Sequence, residues 1–511
     1  MTDLPAGWVE CRLSDAAEIN PSLDRCPFPQ NGPVHFVPMQ AVEAATGRMD
    51  VSTTRPYAEV RKGYTAFVPG DVLFAKITPC MENGKMAVVP DLAHSVGCGS
   101  TEFHVLRRRE GVCPVYLYQF VASQAFRLEA EHNMTGAVGQ KRVPTAFLTD
   151  HTLPLPPLPE QHRIVAKIEE LFSELDAGQA SLTRARAQLA LYRQSLLKAA
   201  FQGHLTADWR AVNPDKVEPP ETLLPRIRKE RETRYKQALD DWQTALSEWR
   251  AGGEKGRKPG KPERPGEIEL SDKHADIPRS WLYVLVEGLL AEPLSNGRSV
   301  KDRVGGFPVL RLSAFRNGRL DLTESKAGAW TAEEAAPWIV KEGDFFAARG
   351  NGSKHLVGIG ALAAGVGTSV AYPDTMIRLA VDRKVVDPEY FATVWNSRVI
   401  RDQIESAART TAGIYKINQP HICGFAFPLP PREEQEVILE RIIPVLSQIE
   451  YQEAEITTAI ARISALRQSI LKKAFSGQLV PQDPSDEPAS ALLSRLRATA
   501  STPKTRRKIP A

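Results

Sequence analysis

The sequence predicts a mixed α/β protein: two α/β domains joined by two long helices that form an antiparallel coiled coil, with internal pseudo-twofold symmetry. Three observations predict it. The chain repeats itself at an offset of about 274 residues, a period that fits whole domains rather than the small stacked units of a solenoid. Each copy changes character at a proline-rich segment, and beyond that segment each copy carries a heptad pattern of apolar residues.

The repeat is read from four matched pairs. RQSLLKAAFQGHL (Arg193 to Leu205) answers RQSILKKAFSGQL (Arg467 to Leu479), and PLPPLPEQ (Pro154 to Gln161) answers PLPPREEQ (Pro428 to Gln435). LPAGW (Leu4 to Trp8) answers IPRSW (Ile277 to Trp281), and PGDVLFAK (Pro69 to Lys76) answers EGDFFAAR (Glu342 to Arg349). Each half is therefore one complete unit. Before each PLPP segment lie short apolar runs broken by Gly, Pro and Asn, such as VHFVPM, GDVLFAKI and FHVL, with helical stretches like PVYLYQFVASQAF between them. That alternation predicts an α/β globule. The PLPP segment itself cannot continue a helix and must be extended.

After the prolines, Ile168, Leu175, Leu182, Leu189 and Leu196 recur every seven residues in the first copy, as do Ile442, Ile449, Ile456, Ile463 and Ile470 in the second. The companion positions are less regular: Leu171, Gly178, Ala185, Tyr192 and Ala199 in one, Val445, Gln452, Ala459, Leu466 and Lys473 in the other. Small and polar residues there suit close contact in a defined register. A helix of about 43 residues spans roughly 64 Å, more than the diameter of a small domain, so a coil of the two helices explains both better than an amphipathic helix lying on its own globule. The expected boundaries are 1–155 and 277–429 for the globular domains and 156–205 and 430–480 for the helices. Residues 206–276 form a charged, Gly/Pro-rich connector with a candidate helix, and 481–511 a C-terminal tail. A flexible connector of this kind lets the second unit turn back on the first.

Composition sets the class. At 511 residues the chain exceeds one core, and 42% hydrophobic with 25% charged residues is the globular average. A net charge of +4 does not by itself establish nucleic-acid binding, so the basic runs matter more: Arg107 to Arg109, RIRKERETRYK from Arg226 and KTRRK from Lys504. No apolar stretch approaches the roughly 20 residues that cross a bilayer, and the start lacks the regions of a secretory signal, so a cytoplasmic location is expected. Cysteines at 11, 26, 80, 98, 113 and 423 form no CxxC pair and read as packing residues.

Catalytic motifs are missing. The sequence has no Walker A element, no HExxH, no GxSxG and no GxGxxG, of which Gly350-Asn351-Gly352 matches only the first three positions. Neither NPPY nor DPPY occurs, and Asn213-Pro214-Asp215 is a linker tripeptide. No catalytic or metal-ligating residue is assigned. An enzyme fusing recognition to methylation or cleavage, and a coiled-coil scaffold for proteins alone, are the alternatives to a DNA-reading adaptor.

The recurring PLPP(L/R)xEQ, the heptad helix and RQS(I/L)LKxAFxGxL resemble the specificity subunits of type I restriction-modification systems. So do the LPxGW-like start, LFAKITPCMENGK (Leu73 to Lys85), FAARGNGSKHLVG (Phe346 to Gly358) and the tail EPASALLSRLRA (Glu487 to Ala498). The resemblance implies two target-recognition domains, each reading one half of a split DNA site, held apart by a coiled-coil ruler. It implies double-stranded DNA, two modification (methyltransferase) subunits and restriction/translocase subunits as partners. S-adenosylmethionine, ATP and Mg belong to those partners, with no cofactor in this chain. The departures are the long connector and the weak likeness between the two domains, the latter implying unequal half-sites.

Within this reading, segments 73–85 and 346–358 concentrate Gly with cationic and amide side chains after an apolar strand. Lys76, Asn83 and Lys85, and Arg349, Asn351, Ser353 and Lys354, are the candidates for DNA contact, because Arg and Lys read guanine or hold phosphate and Asn pairs with adenine. Gln140, Lys141 and Arg142 after TGAVG, and Tyr415, Lys416 and Asn418 after TTAG, form a second set suited to the phosphate backbone.

Overall fold

A computed structural model of the chain describes residues 4–22, 32–137, 139–256, 258–262, 268, 270, 277–411 and 413–501. Cys26 and the basic run at Lys504 lie outside them. The chain forms two compact units, one of residues 1–184 with 456–511 and the other of residues 185–455. Each unit therefore takes its long helices from both halves of the sequence.

In the first unit an antiparallel sheet carries β1 (Ala17–Ile19), β2 (Asp71–Ala75), β3 (Met86–Val88) and β4 (Phe103–Arg108), in the spatial order β1-β4-β2-β3. Every residue of β2 is buried, and the strand pleat sends alternate side chains to opposite faces. Val72 and Phe74 join a core with helix Pro114–Ala122, while Leu73 and Ala75 join another with Val37, Phe103 and Val105. A strand covered on both faces is apolar wherever no partner charge meets it, which explains the unbroken VLFA after the paired Asp71.

The second unit repeats the arrangement with β5 (Ser295–Asn296), β6 (Phe345–Ala348), β7 (Gly360–Leu362) and β8 (Met376–Leu379), in the order β5-β8-β6-β7. Phe345 and Ala347 face one core, and Phe346 faces the other. A ribbon of Asp302–Leu310 with Ser325–Gly328 and a small sheet of Gly350–Asn351, Arg409–Thr411 and Ile414–Lys416 complete it.

The same polar frame holds both domains. An Asp–Arg pair with a buried carboxylate ties the sheet in each: Asp71 takes Arg107 at 2.9 and 2.7 Å, and Asp344 takes Arg378 at 2.7 Å. The ends of each domain close as a two-stranded ladder, Val9–Arg12 on Thr152–Leu155 and Leu282–Leu285 on Ala426–Leu429. Tyr116 donates to Pro154 O at 2.7 Å, and Tyr390 to Pro428 O at 3.2 Å. These ladders consume the first half of each PLPP segment, and the helices start directly after it, at Leu158 and at Arg432.

The buried Glu and Gln of each EQ dipeptide then lock helix to domain. Glu160 accepts from Trp8 Nε1 at 3.0 Å, and Glu434 from Trp281 Nε1 at 2.8 Å. Gln161 accepts from Cys113 N–H and donates to Pro156 O; Gln435 accepts from Asp387 N–H and donates to Pro430 O. Burial pushes the Glu160 carboxyl above its ordinary range.

The long helices run Leu158–Phe201 and Arg432–Phe475, and they pair antiparallel within each unit. In the first unit Arg467 meets Asp176 and lies 4.9 Å from the Phe172 ring, while Gln482, just past the second helix, reaches Glu160. In the second, Arg193 faces Glu450 and Arg441 binds Asp208 and Leu205 O. All ten seam residues are buried or half-buried. Among the companion positions Tyr192, Gln452, Leu466 and Lys473 are exposed, so the pair buries one narrow stripe.

The connector contains a helix, Pro220–Ala251, whose first turns bury Leu223 and Ile227 in the second unit's core. The tail helix Ala489–Ser501 buries Leu492, Leu493 and Leu496 in the first unit's core. EPPETLLPRIR (Glu218 to Arg228) and EPASALLSRLR (Glu487 to Arg497) are thus one repeated element. Each is closed by a two-point Glu–Arg pair eight residues apart, Glu218–Arg226 and Glu487–Arg495. The start of the connector therefore belongs to the repeat. After Ala251 the chain folds back on the connector helix, where Trp242 Nε1 donates to Pro259 O at 3.1 Å.

Candidate nucleic-acid interface

The candidate residues gather at one end of each main sheet, where β2 and β6 leave the core. Lys76 follows β2 and Arg349 follows β6, and their backbones are held alike. Lys76 N–H donates to Glu102 O at 2.9 Å, and Arg349 N–H donates to Thr375 O at 2.8 Å, each at the start of the neighbouring strand. Val143 N–H donates to Lys76 O at 2.9 Å, and Ile417 N–H to Arg349 O at 3.0 Å. The two candidate sets, far apart in sequence, are therefore stitched together in each domain. Thr78 N–H on Lys141 O and the pairing of Gly350 with Lys416 and Asn351 with Tyr415 extend the contact. A cation fixed by backbone bonds on both sides presents its side chain from a rigid base, which a site that reads sequence requires.

The individual side chains differ in what they are free to do. Lys76, Lys141, Arg349, Lys354 and Lys416 have no side-chain hydrogen bond or ion pair among the described residues, and all but the half-buried Lys76 are exposed. Asn83 sits exposed on a turn braced by Arg127, whose Nη1 donates to Glu82 O at 2.6 Å. Gln140 is exposed, and its carbonyl accepts from Arg142.

Four candidates are engaged within the protein. Arg142 grips Glu102 with two bonds of 2.9 and 2.8 Å, and that guanidinium holds the Glu102 carboxyl below its ordinary range. Lys85 Nζ donates to Met39 O at 3.1 Å. Asn351 accepts from Ser353 N–H at 3.0 Å, an Asx-type turn, and Asn418 accepts from His421 N–H at 2.9 Å as the cap of helix Gln419–Cys423. These bonds shape the loops and leave fewer polar atoms for a ligand. Beneath the first site His104 bridges Asn20 and Val143 O, and burial lowers its pKa, favouring a neutral ring.

Sequence reading missed Arg409 in the small sheet and three cations that follow, along the chain, from the end of the second main sheet. Gly297 N–H reaches Met376 O at 3.3 Å, next to Thr375; later in the chain Arg298 lies 5.8 Å from the Trp338 ring, Lys301 O accepts from Ala329 N–H, and Arg303 follows Asp302 out of the ribbon. Arg409 faces Lys416 in the small sheet. The signal was present in SNGRSVKDRVGG, cations interleaved with Gly and Ser, but no match in the other half drew attention to it. Among the described residues no cluster of His, Cys, Asp and Glu could hold a metal ion, and no helix is long and apolar enough to cross a membrane.

Comparison with known proteins places this geometry. Residues 5–182 match the family model of the type I restriction modification DNA specificity domain. The chain is 26% identical over 490 residues to the type I restriction enzyme EcoEI specificity subunit of Escherichia coli, covering 86% of this chain and 78% of that protein. It is 26% identical to the EcoKI specificity subunit of Escherichia coli strain K12, covering 84% and 81%. Among solved structures, the HsdS subunit from Thermoanaerobacter tengcongensis aligns with a TM-score of 0.51 at 19% identity, covering 93% of this chain and 98% of that one. A chain from a study of complex assembly and conformational transition of the type I R-M system aligns at 0.65 and 18%, covering 93% and 100%. With its duplicated domains and paired long helices, the chain is similar over most of its length to the specificity subunits of type I restriction-modification systems, the non-catalytic subunits that recognise DNA.

Proposed function

We propose that each domain reads one half of a bipartite DNA target through the sheet end that carries Lys76 or Arg349, and that the paired helices set the unread spacer between the halves. The observation that carries this is the identical clamping of two cations of different identity on one scaffold, with the loops around them unlike each other. A shared frame gives both domains the same docking geometry, and unequal side chains give unequal base preferences. Lys141 and Lys416 supply phosphate contacts, which add affinity without sequence information.

The partners are two modification subunits that use S-adenosylmethionine and restriction subunits that use ATP and Mg, in the cytoplasm. EcoEI and EcoKI, the similar proteins, are by name parts of type I restriction enzymes. The helix pair also leaves apolar surface uncovered: Leu191, Tyr192 and Tyr451 are more than half exposed in the second unit, as is Leu466 in the first, and such surface suits partner helices. Methylome sequencing of a host carrying this subunit with its modification partner tests the reading. It is expected to return a motif of two different specified halves around an unspecified gap; a single uninterrupted motif would overturn it.

A further inference from the structure

The ribbon of Asp302–Leu310 and Ser325–Gly328 contains an excursion. Asp302 and Phe307 both face Gly328, so Arg303, Val304, Gly305 and Gly306 leave the ladder together. Its foot is fixed. Lys326 Nζ pairs with Asp302 at 2.6 Å and donates to Val300 O at 3.1 Å, and Ala329 N–H donates to Lys301 O at 2.8 Å. Gly305 has φ of +73°, and a Cβ on Gly306 would overlap the carbonyl of Gly328, so glycine is required at both. The tip is bare: Val304 is fully exposed, more so than any other large apolar side chain among the described residues.

An isolated valine in full contact with water contributes nothing to folding, and burial against a partner is where its apolar surface gains. Exposed cations, Lys301 and Arg303, flank it without ion-pair partners among the described residues. The excursion begins a few residues after Gly297, whose N–H donates to Met376 O at the sheet end that holds Arg349. It is thus close along the chain to the proposed DNA surface, and its cations are complementary in charge to DNA.

We propose that this excursion is a groove probe: the ribbon end enters the major groove, and Val304 touches the C5-methyl of one thymine while Arg303 and Lys301 hold the flanking DNA. The inference rests on the reading that this domain recognises a half-site. The major groove admits a two-stranded ribbon, and its only apolar base-edge feature is the thymine methyl, which is what a valine can read.

The test replaces each thymine of the mapped target, one at a time on either strand, with uracil, which removes only the methyl. Duplexes are titrated against wild-type and Val304→Ala chains, each assembled with the modification subunits and shown to melt at the same temperature. One position is expected at which uracil weakens the wild type about fourfold, the value of one methyl group returned to water, and to which Val304→Ala is indifferent. Uracil effects that are the same in both proteins at every position, or a target without thymine, would overturn the probe while leaving half-site recognition intact. Failure of the wild-type complex to prefer its mapped target over random DNA would instead overturn the half-site reading.

Discussion

At the residue scale, backbone geometry and side-chain engagement separate the candidates. Arg349 is exposed, unpaired among the described residues, and held by backbone bonds on both sides, so Arg349→Ala is expected to lower specific affinity about 5- to 100-fold and to relax preference at one position of one half-site. Binding measured at several salt concentrations checks it, and unchanged affinity would remove Arg349 from the interface. Lys141 and Arg142 are neighbours with different expectations. Lys141 is free in solvent, and its loss should reduce the salt slope of binding by about 1. Arg142 spends its guanidinium on Glu102, so Arg142→Ala should change the slope less while loosening the loop. Equal slopes for Lys141→Ala and wild type would refute the phosphate assignment. Sequence could name these residues as candidates but could not tell them apart, because a carboxylate 40 positions away decides which cation is occupied.

At the element scale, the repeated EPxxxLLxR(I/L)R helix completes each unit from outside its own domain. Leu496 is buried in the first unit's core, on a tail that begins more than three hundred residues after the domain it covers. Leu496→Ala is expected to cost about 2–3 kcal/mol in the first unit, measured by denaturant unfolding of the full chain. An unchanged midpoint would show that the tail does not contribute to that core. The helices, their starts and the strands were legible in the sequence, since proline placement and periodicities of two and seven are local properties. The tail's partner was not, because an amphipathic helix states that it needs an apolar surface without stating whose.

At the scale of the whole molecule, the proposed ruler would make distance part of recognition. Inserting one heptad after Leu182 and another after Ile456 keeps the apolar seam continuous and lengthens the pair by roughly 10 Å, about three base-pair steps. The half-site sequences should survive while the unread spacer lengthens, provided the DNA does not bend to absorb the change. Methylome mapping of the folded, active variant is the measurement; the original spacer would refute the ruler.

The sequence by itself determined the duplication, the α/β class, the two long helices and the absence of familiar catalytic motifs, because repeats, periodicity and motifs are written along the chain. It also placed the candidate cations in four short segments. Tertiary structure alone decided that those segments meet in pairs, with 76 beside 143 and 349 beside 417. It alone showed that the connector's first helix and the C-terminal tail are equivalent caps. The physical reason is that sheet pairing and core burial join residues by proximity in space, and hydrogen bonds between strands and loops carry no record of themselves in local sequence.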